Sequence, residues 1–513
     1  MGFARTYAVA LLGLNGHMVE VEADIGQTLP AFVLLGLPDS ALMESKERIR
    51  AAAKNSGVPL ASRKITASLT PATLPKGGTV FDLAILMAAL QAAGDVPGTG
   101  GAVFLAELGL DGGLRPVPGV FPAVAAAVRS GHRRVVVARE NLEEARLVPD
   151  AEVSGFRSVA DVLEWAGSTS PRLSRPPGQA PRTEDPPEPR RRPDLADVVG
   201  QAEGRWALEI AAAGSHHLSM IGPPGSGKTM LAERLPGILP PLDAAASHEV
   251  TAVHSLGARR TRLTRLMTEA PWEAPHHTAS TASMVGGGSG VPLPGAASRA
   301  HRGVLFLDEA PEFRRGVLDA LRQPLESGEI TIDRSRASAR YPARFQLVLA
   351  SNPCACGLST GLGDRCTCSP RERRSYLGRL SGPLMDRVDL HLSVPRLSYA
   401  EVTATTRGEP SDVVASRVRA AREAARERLQ PLGVRANADL TGAQLRDRLR
   451  LPSALLSPLH RLIERGDLTV RGSDRVQRIA WTIADLEGAA SPASEHLEAA
   501  IALRISSGPR LIA

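Results

Sequence analysis

Aromatic side chains are scarce in this chain: nine Phe, four Tyr and four Trp make up 3% of 513 residues. So few rings argue against an extended base-stacking platform of the kind that grips single-stranded nucleic acid. Cysteine is scarcer still, and all four fall between Cys354 and Cys368. That clustering argues against a disulfide framework and needs a local explanation. No uninterrupted apolar run reaches membrane-spanning length. The short apolar stretch near the N-terminus is followed at once by His17, Glu20, Glu22 and Asp24, with no small-residue cleavage site. No secretory leader is expected, and the protein is expected in the cytoplasm with no membrane partner. A dominant charge is missing as well: 61 basic residues face 54 acidic ones, for a net +7. This permits a nucleic-acid partner without demanding one, so clustering matters more than the total. What is present is a hydrophobic fraction of 43%, ample for packed cores. The length suggests about three domains of ~150 residues each.

The stretch 168–193 is rich in Pro, Ser and charge, without hydrophobic periodicity, and reads as a linker. Residues 1–167 before it carry strand-like runs at Ala31–Leu35, Val103–Leu108 and Arg134–Ala138. Helical patterns at 40–54, 81–93 and 119–129 separate them, so this part reads as an α/β domain. From 194 to 395 strand and helix alternate, as a parallel sheet requires. Residues 396–513 read as helical, with an Arg/Ala/Glu-rich stretch at Val413–Leu429 and an apolar stripe over Arg475–Glu487.

Chemistry enters at Gly222-Pro223-Pro224-Gly225-Ser226-Gly227-Lys228-Thr229. It matches the phosphate-cradling pattern G-x-x-x-x-G-K-S/T, between a strand-like Leu218–Ile221 and a helical Met230–Leu235. The glycines let backbone N–H groups wrap phosphates, Lys228 is placed to reach the β/γ-phosphates, and Thr229 to ligate Mg²⁺. About eighty residues on, the apolar run Val304–Leu307 ends in Asp308 and Glu309. Asp308 suits Mg²⁺ held through water, and Glu309 suits polarisation of the attacking water. A third apolar run, Phe345–Ala350, ends in Ser351 and Asn352, and Asn352 is expected to orient that water. Arg387 is a candidate arginine finger acting on a neighbouring subunit's γ-phosphate. Arg471, at the start of a lid helix, is a candidate for contact in cis. A finger in trans needs an oligomer, so these residues imply a ring.

On these motifs, residues 194–513 resemble the magnesium-chelatase-like branch of the AAA+ ATPases, and within it the YifB/ComM proteins. Ala274-Pro-His-His-Thr-Ala-Ser280, Val285–Gly288, Gly303–Glu309, Asn352–Gly357, Ser381–Asp389 and Thr482–Glu487 carry the resemblance. It implies an α/β fold with a P-loop parallel-sheet core and a C-terminal helical lid. It also implies ATP and Mg²⁺ as ligands, a hexameric ring of identical chains, and branch-migration helicase activity on DNA. The N-terminal segment is similar to the Lon protease domain, of the ribosomal S5 domain 2-like class. Pro75–Asp82 stands where that family has P-K-D-G-P-S-A-G. The alignment puts Val80 at the nucleophile and Phe121 near the catalytic lysine. Neither side chain can do that chemistry, so no peptidase activity is expected.

Cys354, Cys356, Cys366 and Cys368 form two C-x-C pairs. Four thiolates this close suit a structural Zn²⁺ site, although the spacing is tighter than the usual C-x₂₋₄-C. Two segments suit a substrate-gripping pore. One is the Gly/Pro-rich loop Gly286–Gly295. The other is a hairpin over Ile330–Arg344 whose tip carries Arg334, Arg336 and Arg340, placed to touch DNA phosphates without reading sequence. The spacing of His276 and His277 indicates no metal, and no role is assigned to them. Two functions follow, a DNA motor or a protein-remodelling or chelatase-type assembly ATPase. The Lon-like segment counts against the chelatase form.

Overall fold

The computed structural model of the protein describes residues 2–26, 29–36, 40–60, 64–168, 170, 173–176, 193–257, 263–288, 292–334, 337–359, 365–399 and 408–505. Most of the expected linker, and Arg336, lie outside these residues.

The first sheet is seeded by a long antiparallel hairpin, β1 (Gly2–Leu12) with β2 (Asn15–Gly26). Strict alternation dictates it: Ala8, Ala10, Val19, Val21 and Ala23 are buried, while Glu20 and Glu22 face Arg5 on the other side. With β3 (Ala31–Leu35), β4 (Lys64–Thr70), β5 (Val103–Leu105), β8 (Arg134–Ala138) and β9 (Glu152–Phe156) the order is β3-β4-β2-β1-β5-β8-β9. The strand expected over 103–108 breaks at Ala106, where β6 (Glu107–Leu108) turns away to pair with β7 (Leu114–Arg115). The expected helices appear at Ser40–Asn55, Asp82–Ala92 and Val120–Arg129. Lys76, inside the protease-like motif, is buried and donates to the carbonyls of Gly36, Pro71 and Leu74, so it clamps a turn. Val80 and Phe121 are packing residues; the Phe121 ring meets His248 edge-on at 5.7 Å.

The second sheet consists of β10 (Leu218–Ile221), β11 (Trp272–Glu273), β14 (Val304–Leu307), β17 (Gln346–Ser351) and β18 (Leu390–Ser393). They are parallel, in the order β11-β14-β17-β10-β18. Each is short and apolar because helices cover both faces. The order puts β17 between the strands that lead into Asp308 and into the phosphate loop. In open α/β sheets the carboxyl ends of such strands form the ligand crevice. Beyond the sheet, helices Ser411–Leu429, Ser453–Glu464, Val470–Leu486 and Ser494–Ile505 follow. Val476, Ile479 and Ile483 of the third and Leu497 of the fourth join Leu218, Met220 and Leu390 in one core, so the helical region packs directly on the sheet.

The two halves also touch. Gly119 N–H donates to Ser255 O at 2.9 Å, and Ser255 Oγ donates to Glu144 at 2.5 Å. Burial pushes the Glu144 carboxyl up from its ordinary range despite that bond. Leu11 and Leu14, flanking the β1–β2 turn, pack against buried Leu256, Ala339 and Tyr341. Among the described residues no helix is long and apolar enough to cross a membrane.

Candidate nucleotide-binding site

β10 delivers the phosphate loop at the crevice, and the loop has little freedom. Gly222 N–H donates to Ser351 O on β17, and a Cβ on Gly222 would stand 2.1 Å from Val394 O. Gly225 and Gly227 have φ of 74° and 91°, the left-handed region that glycine enters without penalty. Gly227 also caps helix Lys228–Ile238 with no side chain over the first-turn N–H groups, which suits an anion at that end.

Lys228 Nζ donates to Gly222 O at 2.7 Å, to Pro223 O at 3.0 Å and to Asn352 Oδ1 at 3.2 Å. Burial pushes its pKa down, against the attraction of Asp308 and Glu309. A half-buried ammonium held by neutral oxygens is a good seat for a polyphosphate. Thr229 Oγ1 donates to Asp308 Oδ2 at 2.7 Å. A hydroxyl and a carboxylate converging beside such a loop are a hard, oxygen-only donor set that fits Mg²⁺. Glu309, next along, has a left-handed backbone (φ 50°, ψ 43°) and an exposed carboxylate 3.3 Å from His277 Nδ1. Three parallel strands thus bring Lys228, Thr229, Asp308, Glu309 and Asn352 to one crevice.

The two arginines are placed differently. Arg387 is largely buried, pairs with Glu326 and donates to Pro383 O at 2.5 Å, while its Nε has no partner. Arg471 is exposed at the start of helix Val470–Leu486, with Asp386 at 3.9 Å. All of these partners lie outside the phosphate loop. The residue tying helix to sheet is Arg475, one turn further on, which pairs with fully buried Asp389. Burial opposes the Asp389 charge, but Arg475 and His216 beside it hold the carboxyl well below its usual range. Separation hides this pair from sequence reasoning, since 86 positions lie between the partners.

The cysteine sulfurs do converge. Cys354 Sγ lies 3.4 Å from Cys356 and 3.8 Å from Cys366, and Cys356 and Cys366 are 3.5 Å apart. With Cys368 the four ligand atoms all lie within 4.8 Å of one another. Zn–S bonds of ~2.3 Å imply tetrahedral S···S separations of about 3.8 Å, so the set fits Zn²⁺. Burial would raise the Cys354 thiol, but hydrogen bonds with Ser359 and Cys356 bring it down to about 6, toward the thiolate a metal needs. Gly357, in the same turn, presses on the phosphate loop: a Cβ there would be 2.5 Å from Pro224 Cδ. Glu487, Glu495 and His496 also cluster, but both ring nitrogens of His496 are in use, with Ala493 N–H and Glu487.

The two expected pore segments form one surface. Within the first, β12 (Gly286–Gly287) pairs with β13 (Leu293–Pro294); the second is the hairpin β15 (Glu329–Arg334) with β16 (Ala337–Pro342). Tyr341 Oη donates to Pro292 O, and a Cβ on Gly286 would stand 2.7 Å from Ile332 Cδ1. One on Gly287 would stand 3.5 Å from Arg334 Nη2. Arg334 and Arg340 are exposed, and Arg340 lies 3.6 Å from Glu329.

Comparison with known proteins adds the family. Residues 194–402 match the model "Magnesium chelatase, subunit ChlI", and 408–504 match its C-terminal model. The chain is 49% identical to an uncharacterized protein of Mycobacterium tuberculosis over 508 residues, 98% of this chain and 99% of the relative. It is 39% identical to YifB of Escherichia coli over 510 residues (98% and 97%) and 39% identical to the competence protein ComM of Haemophilus influenzae over 507 (98% of each). The chain is a member of the YifB/ComM family. As a magnesium-chelatase-like AAA+ protein it carries the P-loop core and helical C-terminal region expected from its motifs. Residues 21–141 match a model described as "Subunit ChlI of Mg-chelatase". The N-terminal segment therefore does not separate the motor from the chelatase reading, as its likeness to Lon had suggested.

Proposed function

We propose that this protein is an ATP-hydrolysing ring motor that acts on DNA. The observation that carries the reading is the convergence, from three adjacent parallel strands, of Lys228 on Asn352 and of Thr229 on Asp308. In this site the loop N–H groups and Lys228 hold the β/γ-phosphates, and Thr229 and Asp308 hold Mg²⁺, which supplies charge neutralisation. Asn352 orients the water whose oxygen bonds to the γ-phosphorus as the bond to ADP breaks. Glu309 takes that water's proton and passes it on to the released phosphate. Arg387 serves a neighbouring copy of the chain, for which it must exchange Glu326 for phosphate. Arg471 sits where movement of the lid would bring it to the phosphates in cis.

The basic surface built from the Gly-rich pair and the hairpin favours DNA, gripped through its phosphates. The name of the Haemophilus relative supports a place in DNA uptake or recombination. The Lon-like segment, with Val80 and Phe121 in packing positions, acts as a scaffold without peptidase activity. The Cys₄ cluster holds a structural Zn²⁺. The rival reading is an assembly ATPase, supported by 26% identity to the magnesium-chelatase 38 kDa subunit of Rhodobacter capsulatus over 332 residues. ATPase turnover measured with single-stranded, duplex and four-way-junction DNA decides between them. Stimulation by DNA that fades with rising salt, and is lost in Lys228→Ala, supports the motor. Stimulation by protein alone, with DNA inert, overturns it.

A further inference from the structure

His277 has no role on the strength of its spacing, yet its Nδ1 lies 3.3 Å from the carboxylate of Glu309. The contact is not an incidental surface pair. Glu309 is restrained on its own side: its left-handed backbone fixes the side-chain direction, its N–H donates to Asp308 Oδ1 at 2.9 Å, and its carbonyl accepts from Glu312 N–H at 2.7 Å. His277 is restrained on the other. Its ring packs on His276 at 4.1 Å, and His276 Nδ1 is locked to Thr278 Oγ1 at 2.9 Å. Ser280 Oγ accepts from Ser283 N–H and caps the following turn, Thr281–Val285.

That turn runs straight into Gly286. One end of the segment is therefore anchored by β11, whose Glu273 lies in register with Leu305 of the strand leading to Asp308. The other end is the Gly-rich pair, and a Cβ on Gly286 would meet Ile332 of the basic hairpin. Any shift of the loop surface is thus passed through a short, hydrogen-bonded segment to the imidazole on Glu309.

We propose that His277 is a positioning residue that engages the Glu309 carboxylate and releases it when a polyanion displaces the Gly286–Arg334 loop surface. This rests on the reading of Glu309 as the base for ATP hydrolysis. A carboxylate oxygen engaged by an imidazole is a poorer proton acceptor, so the contact restrains hydrolysis in the absence of DNA and lets DNA relieve the restraint. The contact is made through Nδ1, and the amide nitrogen of Asn overlays that atom while the longer Gln side chain does not.

The test uses the full-length protein, with ATPase kinetics measured with and without duplex DNA. In His277→Ala, basal kcat should rise toward the DNA-stimulated value and the stimulation ratio fall to near unity, with KM for ATP unchanged. His277→Asn should restore the low basal rate and the stimulation, and His277→Gln should not. Unchanged kinetics in His277→Ala would overturn the inference, as would equal loss of activity in the Ala and Asn variants. A wild type that hydrolyses no ATP, or a Glu309→Gln variant that turns over normally, would overturn the base assignment and this inference with it. Loss of turnover in Glu309→Gln together with an indifferent His277→Ala sinks the inference alone.

Discussion

Thr229 Oγ1 and Asp308 Oδ2, 79 positions apart, meet at 2.7 Å where two strands of the sheet deliver them. Thr229→Ala should raise the Mg²⁺ concentration for half-maximal turnover by about 10–100-fold, while Thr229→Ser stays near wild type. Metal titration of ATPase rates checks this, and identical titration curves for the Ala variant and wild type would remove Thr229 from the metal site.

Asp389 and Arg475 join sheet to helical region through a buried pair. Removing one partner leaves an uncompensated buried charge, so Asp389→Ala should cost about 3–5 kcal/mol of stability. Urea unfolding measures it, and the double variant Asp389→Leu/Arg475→Met should recover much of the deficit.

Three histidines make the protein acid-sensitive. Burial pushes His217 and His301 down to about 4 and His391 to about 3. Hydrogen bonding agrees: each ring accepts through one nitrogen, from Leu347 N–H, Arg344 N–H and Arg504 respectively, as a neutral imidazole does. Free histidine titrates near ~6.5, so between that pH and the folded values the unfolded chain binds more protons. Stability should be full above about pH 6.5 and fall as the pH drops toward ~4. Melting temperature against pH checks the window, and His391→Asn should flatten part of the slope.

The cysteine cluster predicts roughly one zinc per chain by elemental analysis. Cys354→Ser or Cys366→Ser should lose it. Because Gly357 presses on Pro224, the same variants should bind ATP more weakly, which calorimetry would show.

The basic hairpin gives a salt test. Reversing Arg334, Arg336 and Arg340 to Glu should weaken DNA binding across sequences. It should also reduce the slope of log K against log salt by about 1 for each phosphate that is no longer neutralised. An unchanged slope would remove the hairpin from the DNA surface.

The parallel core was legible because each central strand is a short apolar run ending in a residue with chemical work to do: Ile221 before the loop, Leu307 before Asp308, Ser351 before Asn352. The β1–β2 hairpin is harder to read, although its alternation is present, because an apolar run near an N-terminus also has the look of a leader. β11 and β18 are too short, at two and four residues, for periodicity to register. His277 on Glu309 and Asp389 on Arg475 escape because tertiary approach creates them. Pattern reading can place the Gly-rich loop and the hairpin separately, but not Tyr341 on Pro292, which makes them one surface.

The β1–β2 turn has a consequence of its own. A Cβ on Gly13 would lie 2.5 Å from Arg340 O, and Leu11 and Leu14 cover Tyr341 and Ala339. A chain trimmed to begin at the ATPase half would bare this oily notch directly behind the arginines of the hairpin. The remnant of a protease-like fold serves as a shim, and a cut that keeps every catalytic residue would still unseat the loops that meet the substrate.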